Sequence, residues 1–257
     1  MNSFNQIQFA GIIPARYASS RFPGKPLALI GDRSMIQRVY EQTLKSLDNV
    51  FVATDDERIM EAVLNFGGKV IMTSSMHNSG TDRCSEAVSK IESETGLKIE
   101  VVINIQGDEP FIKPEQIDLL KSCFNDNSVE IATLICKAET SEDIFNPNQI
   151  KTVISVKGDA LYFSRAAIPY LRDIEINEWQ NRHIFYKHLG IYGYKKNTLK
   201  KLTLLSRSSL EIAESLEQNR WLENGFKIRT AVTDWDSIGI DTPEDVERTK
   251  ILMKDFI

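Results

Sequence analysis

Three cations stand close together early in the chain, in the stretch Arg16-Tyr17-Ala18-Ser19-Ser20-Arg21-Phe22-Pro23-Gly24-Lys25. Arg16 and Arg21 can each fork two N–H groups onto phosphate oxygens, and Lys25 can act as a point charge. Ser19 and Ser20 add hydroxyls, and Lys25 lies between Gly24 and Pro26, a constrained backbone that suits a fixed role. Together these residue types suit a polyanionic ligand, most simply a triphosphate. The Gly-x-x-x-x-Gly-Lys-Ser/Thr pattern of a P-loop and the Gly-x-Gly-x-x-Gly pattern of a dinucleotide site are both absent.

A second chemical group follows the apolar run Val101–Ile105, in Gln106-Gly107-Asp108-Glu109-Pro110. A strand running out into a carboxylate is where an open α/β sheet places its ligand. Asp108 is therefore well placed for a cation such as Mg²⁺, which is commonly held by one or two carboxylates plus substrate phosphates. Near the C-terminus, Asp241 precedes Thr242-Pro243-Glu244-Asp245, a helix start with Thr242 as N-cap and Pro243 at the first position. Asp241 either stabilises that helix start through the macrodipole or supplies a second carboxylate to the same metal.

His77-Asn78-Ser79-Gly80-Thr81-Asp82-Arg83 leads into a helix, whose N-terminus attracts anions and whose Arg83 adds charge. Ser79 or Thr81 also fits as a cap. Thr54-Asp55-Asp56 ends another strand, where it either reads a base or ribose or caps the next helix. Arg165, His188 and Glu211 are further candidates, each of a type that is more often structural than functional when it stands alone. No Ser/His/Asp or Cys/His arrangement is present that would mark a nucleophile.

The elements that must position these groups alternate in type. Strands are predicted over Ile7–Ile13, Val50–Ala53, Lys69–Met72 and Val101–Ile105, with helices over Met35–Leu47, Glu57–Phe66 and Thr81–Glu94. That order means βαβ units, a mostly parallel, doubly wound α/β sheet and helices on both faces. The second half is less regular. Strands are expected at Ile131–Cys136, Lys151–Val156 and His188–Tyr194, and helices at Leu210–Glu223 and Glu244–Met253. No repeat and no Gly/Ser/Pro-rich linker divides the 257 residues. One domain over 1–257 is expected, with a nucleotide half at about 1–138 and a subregion at about 139–235.

Composition excludes several classes. The formal net charge of −5 lacks the basic face of a general nucleic-acid binder. No run approaches the length of a membrane helix, and Phe9–Ile13 is too short for a signal-peptide core. Three cysteines without a CxxC pair suggest buried thiols, a reducing cytoplasm and neither a disulfide framework nor a zinc knuckle.

The ordered set of motifs resembles the 3-deoxy-manno-octulosonate cytidylyltransferases, the CMP-Kdo synthetases. It comprises the opening loop, Val52-Ala53-Thr54-Asp55, His77–Arg83, Asn104–Pro110, Phe145-Asn146-Pro147-Asn148, Leu161-Tyr162-Phe163-Ser164-Arg165, His188–Tyr194 and Asp241–Asp245. The resemblance implies the nucleotide-diphospho-sugar transferase fold and a smaller sugar-binding and dimerisation subregion. It implies the cytoplasmic reaction CTP + Kdo → CMP-Kdo + diphosphate, with Mg²⁺ as cofactor, for lipopolysaccharide biosynthesis. It casts Arg16, Lys25 and Asp108 as catalytic, and Arg16, Ser19, Arg21, Lys25, Thr54, Asp55, Arg83 and Gln106 as nucleotide-binding. Arg165, His188, Tyr192 and Glu211 become sugar-site residues, and Asp108 and Asp241 become metal ligands. A homodimer is implied, with no nucleic-acid partner and no membrane insertion. The family usually has Leu where Phe22 stands and Glu where Asp82 stands, and 171–183 departs from its pattern. Alternatives are a transferase for a related acidic sugar, 8-amino-Kdo or sialic acid, and a catalytically silent nucleotide-binding homologue.

Overall fold

The structure is a computed structural model that describes residues 7–18 and 22–252. In chain order the elements are β1 (Phe9–Ala15), α1 (Met35–Leu44), β2 (Val50–Thr54), α2 (Glu57–Asn65), β3 (Val70–Met72), α3 (Gly80–Thr95), β4 (Val101–Asn104) and α4 (Pro114–Ser122). They continue as β5 (Ile131–Lys137), α5 (Ser141–Phe145), β6 (Lys151–Ile154), β7 (Ala160–Ser164), β8 (Tyr186–Lys195), α6 (Lys196–Leu202), α7 (Ser209–Glu214), α8 (Glu217–Glu223), β9 (Arg229–Val232) and α9 (Pro243–Leu252). They group into two compact units. The first holds Met1–Asp118, Lys195–Leu199 and Ser237–Ile257, and the second Leu119–Tyr194 and Lys200–Asp236.

In the first unit β1 pairs in parallel with β4 on one side and β2 on the other, and β3 pairs in parallel with β2. Every residue of β2 and β4 is buried, as strands covered on both faces require. Helix α1 buries Met35, Ile36, Val39, Tyr40 and Thr43, the helical spacing visible in its sequence. Its N-cap Ser34 accepts from the Gln37 N–H. Asp56 and Ser79 cap α2 and α3 in the same way. The alternating strands and helices of the sequence reading hold here to within three residues at each end, the largest difference being the C-terminus of α1, which ends at Leu44 and not at Leu47.

In the second unit β5 lies between β9, parallel to it, and β8, antiparallel to it. Strand β6 pairs antiparallel with both β8 and β7. The β5–β8 ladder slips between Leu189 and Tyr192. Thr133 on β5 faces that bulge, and its hydroxyl bonds the carbonyls of Leu189 and Ile191. Cys84 and Cys136 are buried and Cys123 partly so, and no disulfide joins them.

The single helix expected over Leu210–Glu223 is in fact two. Ser215 sits in the left-handed region at φ 52° and ends α7, its N–H donating to the Glu211 carbonyl. Leu216 is extended, and α8 begins after it. The apolar spacing runs on through the break, so periodicity gave no sign of it. The short elements β7, β9 and α5 lack enough repeats to show a period.

A non-glycine residue in the left-handed region costs on the order of 1 kcal/mol. Ser215→Gly is therefore expected to raise the melting temperature by about 1–3 °C, measured by differential scanning calorimetry.

Candidate active site

The loops after β1 and β4 leave the sheet side by side, because Ile12 of β1 is in register with Asn104 of β4. Together with the N-terminus of α3 and the segment before α9 they line a cavity of about 290 Å³. Arg16, Lys25, Arg83, Gln106, Asp108 and Asp241 all face it. Gly107 is there because nothing larger fits: a Cβ would stand 2.9 Å from the backbone oxygen of Pro14. Ser19 and Arg21 lie outside the described residues.

Lys25 is the centre of this cavity. Gly24 takes φ +73° and the Tyr17 ring lies against it, so the position demands glycine. That turn feeds the short 3₁₀ segment Lys25–Leu27 with Pro26 buried. The Lys25 ammonium donates to Asp108 Oδ2 at 2.6 Å, to the Ile240 carbonyl at 3.0 Å and to Asp241 Oδ1 at 3.3 Å. The sequence reads Asp241 either as support for the helix start or as a second carboxylate on a metal. Its backbone N–H is bonded by Asp245, which also forms the cap with Thr242, while its carboxylate turns to Lys25. Two carboxylate oxygens thus converge on one cation-sized position, and the Asp108 and Asp241 side chains keep 32% and 49% of their exposure. Such an all-oxygen, partly open donor pair fits Mg²⁺ completed by phosphate oxygens and water. Among the described residues no group of three or more His, Cys, Asp or Glu side chains gathers as a ready metal cage.

Arg83 is almost fully buried. It donates to the Thr73 hydroxyl at 2.6 Å and pairs with Asp55 Oδ2 at 3.4 Å. Thr54 and Asp55 do not line the cavity. Thr54 is fully buried and bonds the Asp56 N–H and, through its carbonyl, Thr73. Beside them His77, which does line it, bonds Glu86 through Nε2. Burial opposes the Glu86 charge, but bonds from Lys90, the Ser74 N–H and His77 outweigh it and lower its pKa to about 2.

The second unit gathers the other candidates. His188 and Tyr192 lie on β8 with ring centroids 5.2 Å apart, and Phe163 and Trp221 close around them. Desolvation pushes the His188 imidazole down to about 3, so it is neutral at physiological pH. Desolvation, aided by the Glu217 charge, pushes the Tyr192 phenol well up. The Tyr192 hydroxyl is buried without a hydrogen-bond partner among the described residues. Arg165 follows β7, and its Nε donates to the Glu214 carbonyl at 2.7 Å. Glu211 is buried in α7, and its carboxylate faces Arg220 and Arg207 and accepts from the Ser208 N–H.

A family model described as cytidylyltransferase matches residues 10–228. A 3-deoxy-manno-octulosonate cytidylyltransferase of Parabacteroides distasonis is 55% identical over 94% of this chain and 96% of its own length. The Bacteroides thetaiotaomicron protein of that name is 53% identical over 96% and 99%. The chain belongs to the 3-deoxy-manno-octulosonate cytidylyltransferase family. A solved structure of CMP:2-keto-3-deoxy-manno-octonic acid synthetase complexed with CTP superimposes with TM-score 0.88 at 40% identity, covering 97% of this chain and 100% of that one. The fold is that of the nucleotide-diphospho-sugar transferases, shared with a 4-diphosphocytidyl-2C-methyl-D-erythritol synthase of Anaerococcus prevotii at TM-score 0.60 and 12% identity.

Reading a cytidylyltransferase from its sequence alone missed two residues of this geometry. Glu86 has no signal beyond its spacing from His77. Glu214, which holds Arg165, stands one turn from Glu211 in the same acidic stretch, and the helix break that turns it inward is not legible in periodicity.

Two outcomes follow from this geometry. Gly107→Ala must displace backbone at Pro14 and is expected to destabilise the protein by about 1–3 kcal/mol, read from urea unfolding. Glu86 has a depressed folded pKa, so its contribution is present above about pH 4.5 and fades as pH falls toward 2. The melting-temperature gap between the native protein and Glu86→Gln should be constant from pH 7 to 5 and narrow at pH 4 and 3.

Proposed function

We propose that this chain transfers CMP from CTP to the anomeric hydroxyl of 3-deoxy-D-manno-octulosonate, releasing diphosphate, for lipopolysaccharide biosynthesis. The observation that carries the reading is the convergence of Lys25, Asp108 and Asp241 at the ends of parallel strands, in a chain of this family.

Arg16, Ser19, Arg21 and Lys25 hold the triphosphate, while Arg83 and Gln106 face the nucleotide and Thr54 and Asp55 support them from behind. Transfer of this kind depends on positioning and charge neutralisation. The anomeric hydroxyl gives up its proton to solvent, and its oxygen forms a bond to the α-phosphorus as the bond from that phosphorus to the diphosphate oxygen breaks. Lys25 and Arg83 are preset cations that neutralise the charge gathering on the leaving diphosphate, without rearrangement at the moment of reaction. Asp108 and Asp241 would hold Mg²⁺, which when bound supplies Lewis-acid polarisation of phosphoryl oxygens. With a metal and a triphosphate present, Lys25 exchanges carboxylate partners for phosphate oxygens. Arg165 supplies a cation for the carboxylate of the sugar, and neutral His188 and the Tyr192 hydroxyl offer hydrogen bonds to its hydroxyls. We further propose that the enzyme works as a homodimer in the cytoplasm. No described helix is long and apolar enough to cross a membrane.

Purified protein given CTP, Kdo and MgCl₂ should release diphosphate in a coupled phosphate assay; no release beside an active control enzyme overturns the reading. Asp108→Asn should lower kcat by about 100-fold, and excess EDTA should abolish turnover. Sedimentation equilibrium should give twice the mass of one chain.

A further inference from the structure

The second unit buries a lysine that touches no acid. Lys151, at the start of β6, is fully buried, and its Nζ donates to the carbonyls of Asn146 at 2.8 Å, Gln149 at 2.6 Å and Arg165 at 2.6 Å. Three N–H donors meet three acceptors, so the ammonium is saturated. It ties the Asn146-Pro147-Asn148-Gln149 loop to the backbone of Arg165.

Arg165 is gripped at further points. Its backbone N–H donates to Glu214 Oε2 at 2.9 Å, its Nε to the Glu214 carbonyl at 2.7 Å and its Nη1 to the Pro147 carbonyl at 3.0 Å. Glu214 is itself fixed: its Oε1 accepts from the Ser164 hydroxyl at 2.6 Å and the Tyr162 hydroxyl at 3.2 Å. The helix break after Glu214 leaves that carbonyl without a partner inside α7, and the arginine supplies one. Burial opposes the Glu214 charge, but these bonds outweigh it and keep the carboxyl below its ordinary range.

The choice of partners has a consequence. Both acceptors of the guanidinium are neutral carbonyls, and the Glu214 carboxylate is spent on the backbone N–H and two hydroxyls. Among the described residues no ion pair to Arg165 is formed. A guanidinium held rigidly on neutral carbonyls, with the Glu214 carboxylate near enough to act on its charge but forming no ion pair with it, is prepared for an anionic ligand.

We propose that Glu214, with Lys151 behind it, is a positioning residue that presets Arg165 for the carboxylate of the acceptor sugar. This rests on the reading of Arg165 as a sugar-site residue. The clasp also explains why the Phe145–Asn148 motif belongs to the set: its carbonyls at Asn146 and Pro147 are two of the anchors.

The test is a steady-state cycle of Arg165→Ala, Glu214→Gln and the double variant, with KM measured separately for Kdo and CTP. Glu214→Gln should raise the KM for Kdo about tenfold, the effect of one lost charged hydrogen bond, and leave the KM for CTP within about twofold. The double variant should be no worse for Kdo than Arg165→Ala alone. If Arg165→Ala leaves the KM for Kdo unchanged, the sugar-site reading of Arg165 fails, and the proposal with it. If Arg165→Ala raises it while Glu214→Gln leaves it unchanged, raises both KM values alike or adds to Arg165→Ala in full, the clasp alone is overturned. Should Glu214→Gln not fold, Tyr162→Phe removes one bond to Glu214 and carries the same cycle. A rise of about twofold for Kdo alone, absent in the Arg165→Ala background, supports the clasp; an unchanged KM for Kdo overturns it.

Discussion

The first unit depends on one ammonium group. Lys25 joins two carboxylates and a carbonyl from segments that share no local structure. Its own side chain is only 15% exposed, so the attraction acts in a medium less screening than water. The neighbouring features exist to make that meeting possible. Gly24 accepts a backbone few residues tolerate, Gly107 lets the loop after β4 pass against Pro14, and the Thr242–Asp245 cap fixes the backbone from which Asp241 projects. Two acids against one lysine leave a net negative charge at the centre, and Arg16 offsets it while the buried Arg83 is itself paired with Asp55. A divalent cation and a polyphosphate together complement that pattern better than either does alone.

The second unit uses charge in the opposite way. His188 is kept neutral by desolvation, and Tyr192 keeps its proton for the same reason. The acids of α7 are committed elsewhere: Glu214 to hydroxyls and a backbone N–H, Glu211 to Arg220. What remains at Arg165 is a guanidinium on two neutral carbonyls, with the Lys151 ammonium spent on three more.

Legibility in the sequence follows the physics of each region. The parallel strands of the first unit are buried on both faces, so they read as apolar runs, and α1 to α3 are long enough to show a period. The cations and carboxylates at the strand ends stood out for the same reason, since charged residues directly after apolar runs are easy to see. Asp241 had two readings because a carboxylate before a helix looks the same whether it serves the helix or a metal; its bridge to Lys25 is a third contact that sequence does not show. In the second unit the break at Ser215 and the bulge at Leu189–Tyr192 decide which side chains face the rings, and both are backbone events with no residue type that demands them. Glu211 and Glu214 stand one turn apart in α7, before the break at Ser215, so residue type and spacing do not separate their roles.

The lysine bridge spans 83 residues to Asp108 and 216 to Asp241. During synthesis the strands of the first unit can pair once β4 has left the ribosome, but Asp241 arrives more than a hundred residues later. The cavity therefore acquires its full set of charges only after the second unit has been synthesised. A nascent chain with its sheet already assembled would still lack the third arm of the bridge, which makes closure of this site a late, long-range step in the maturation of the protein.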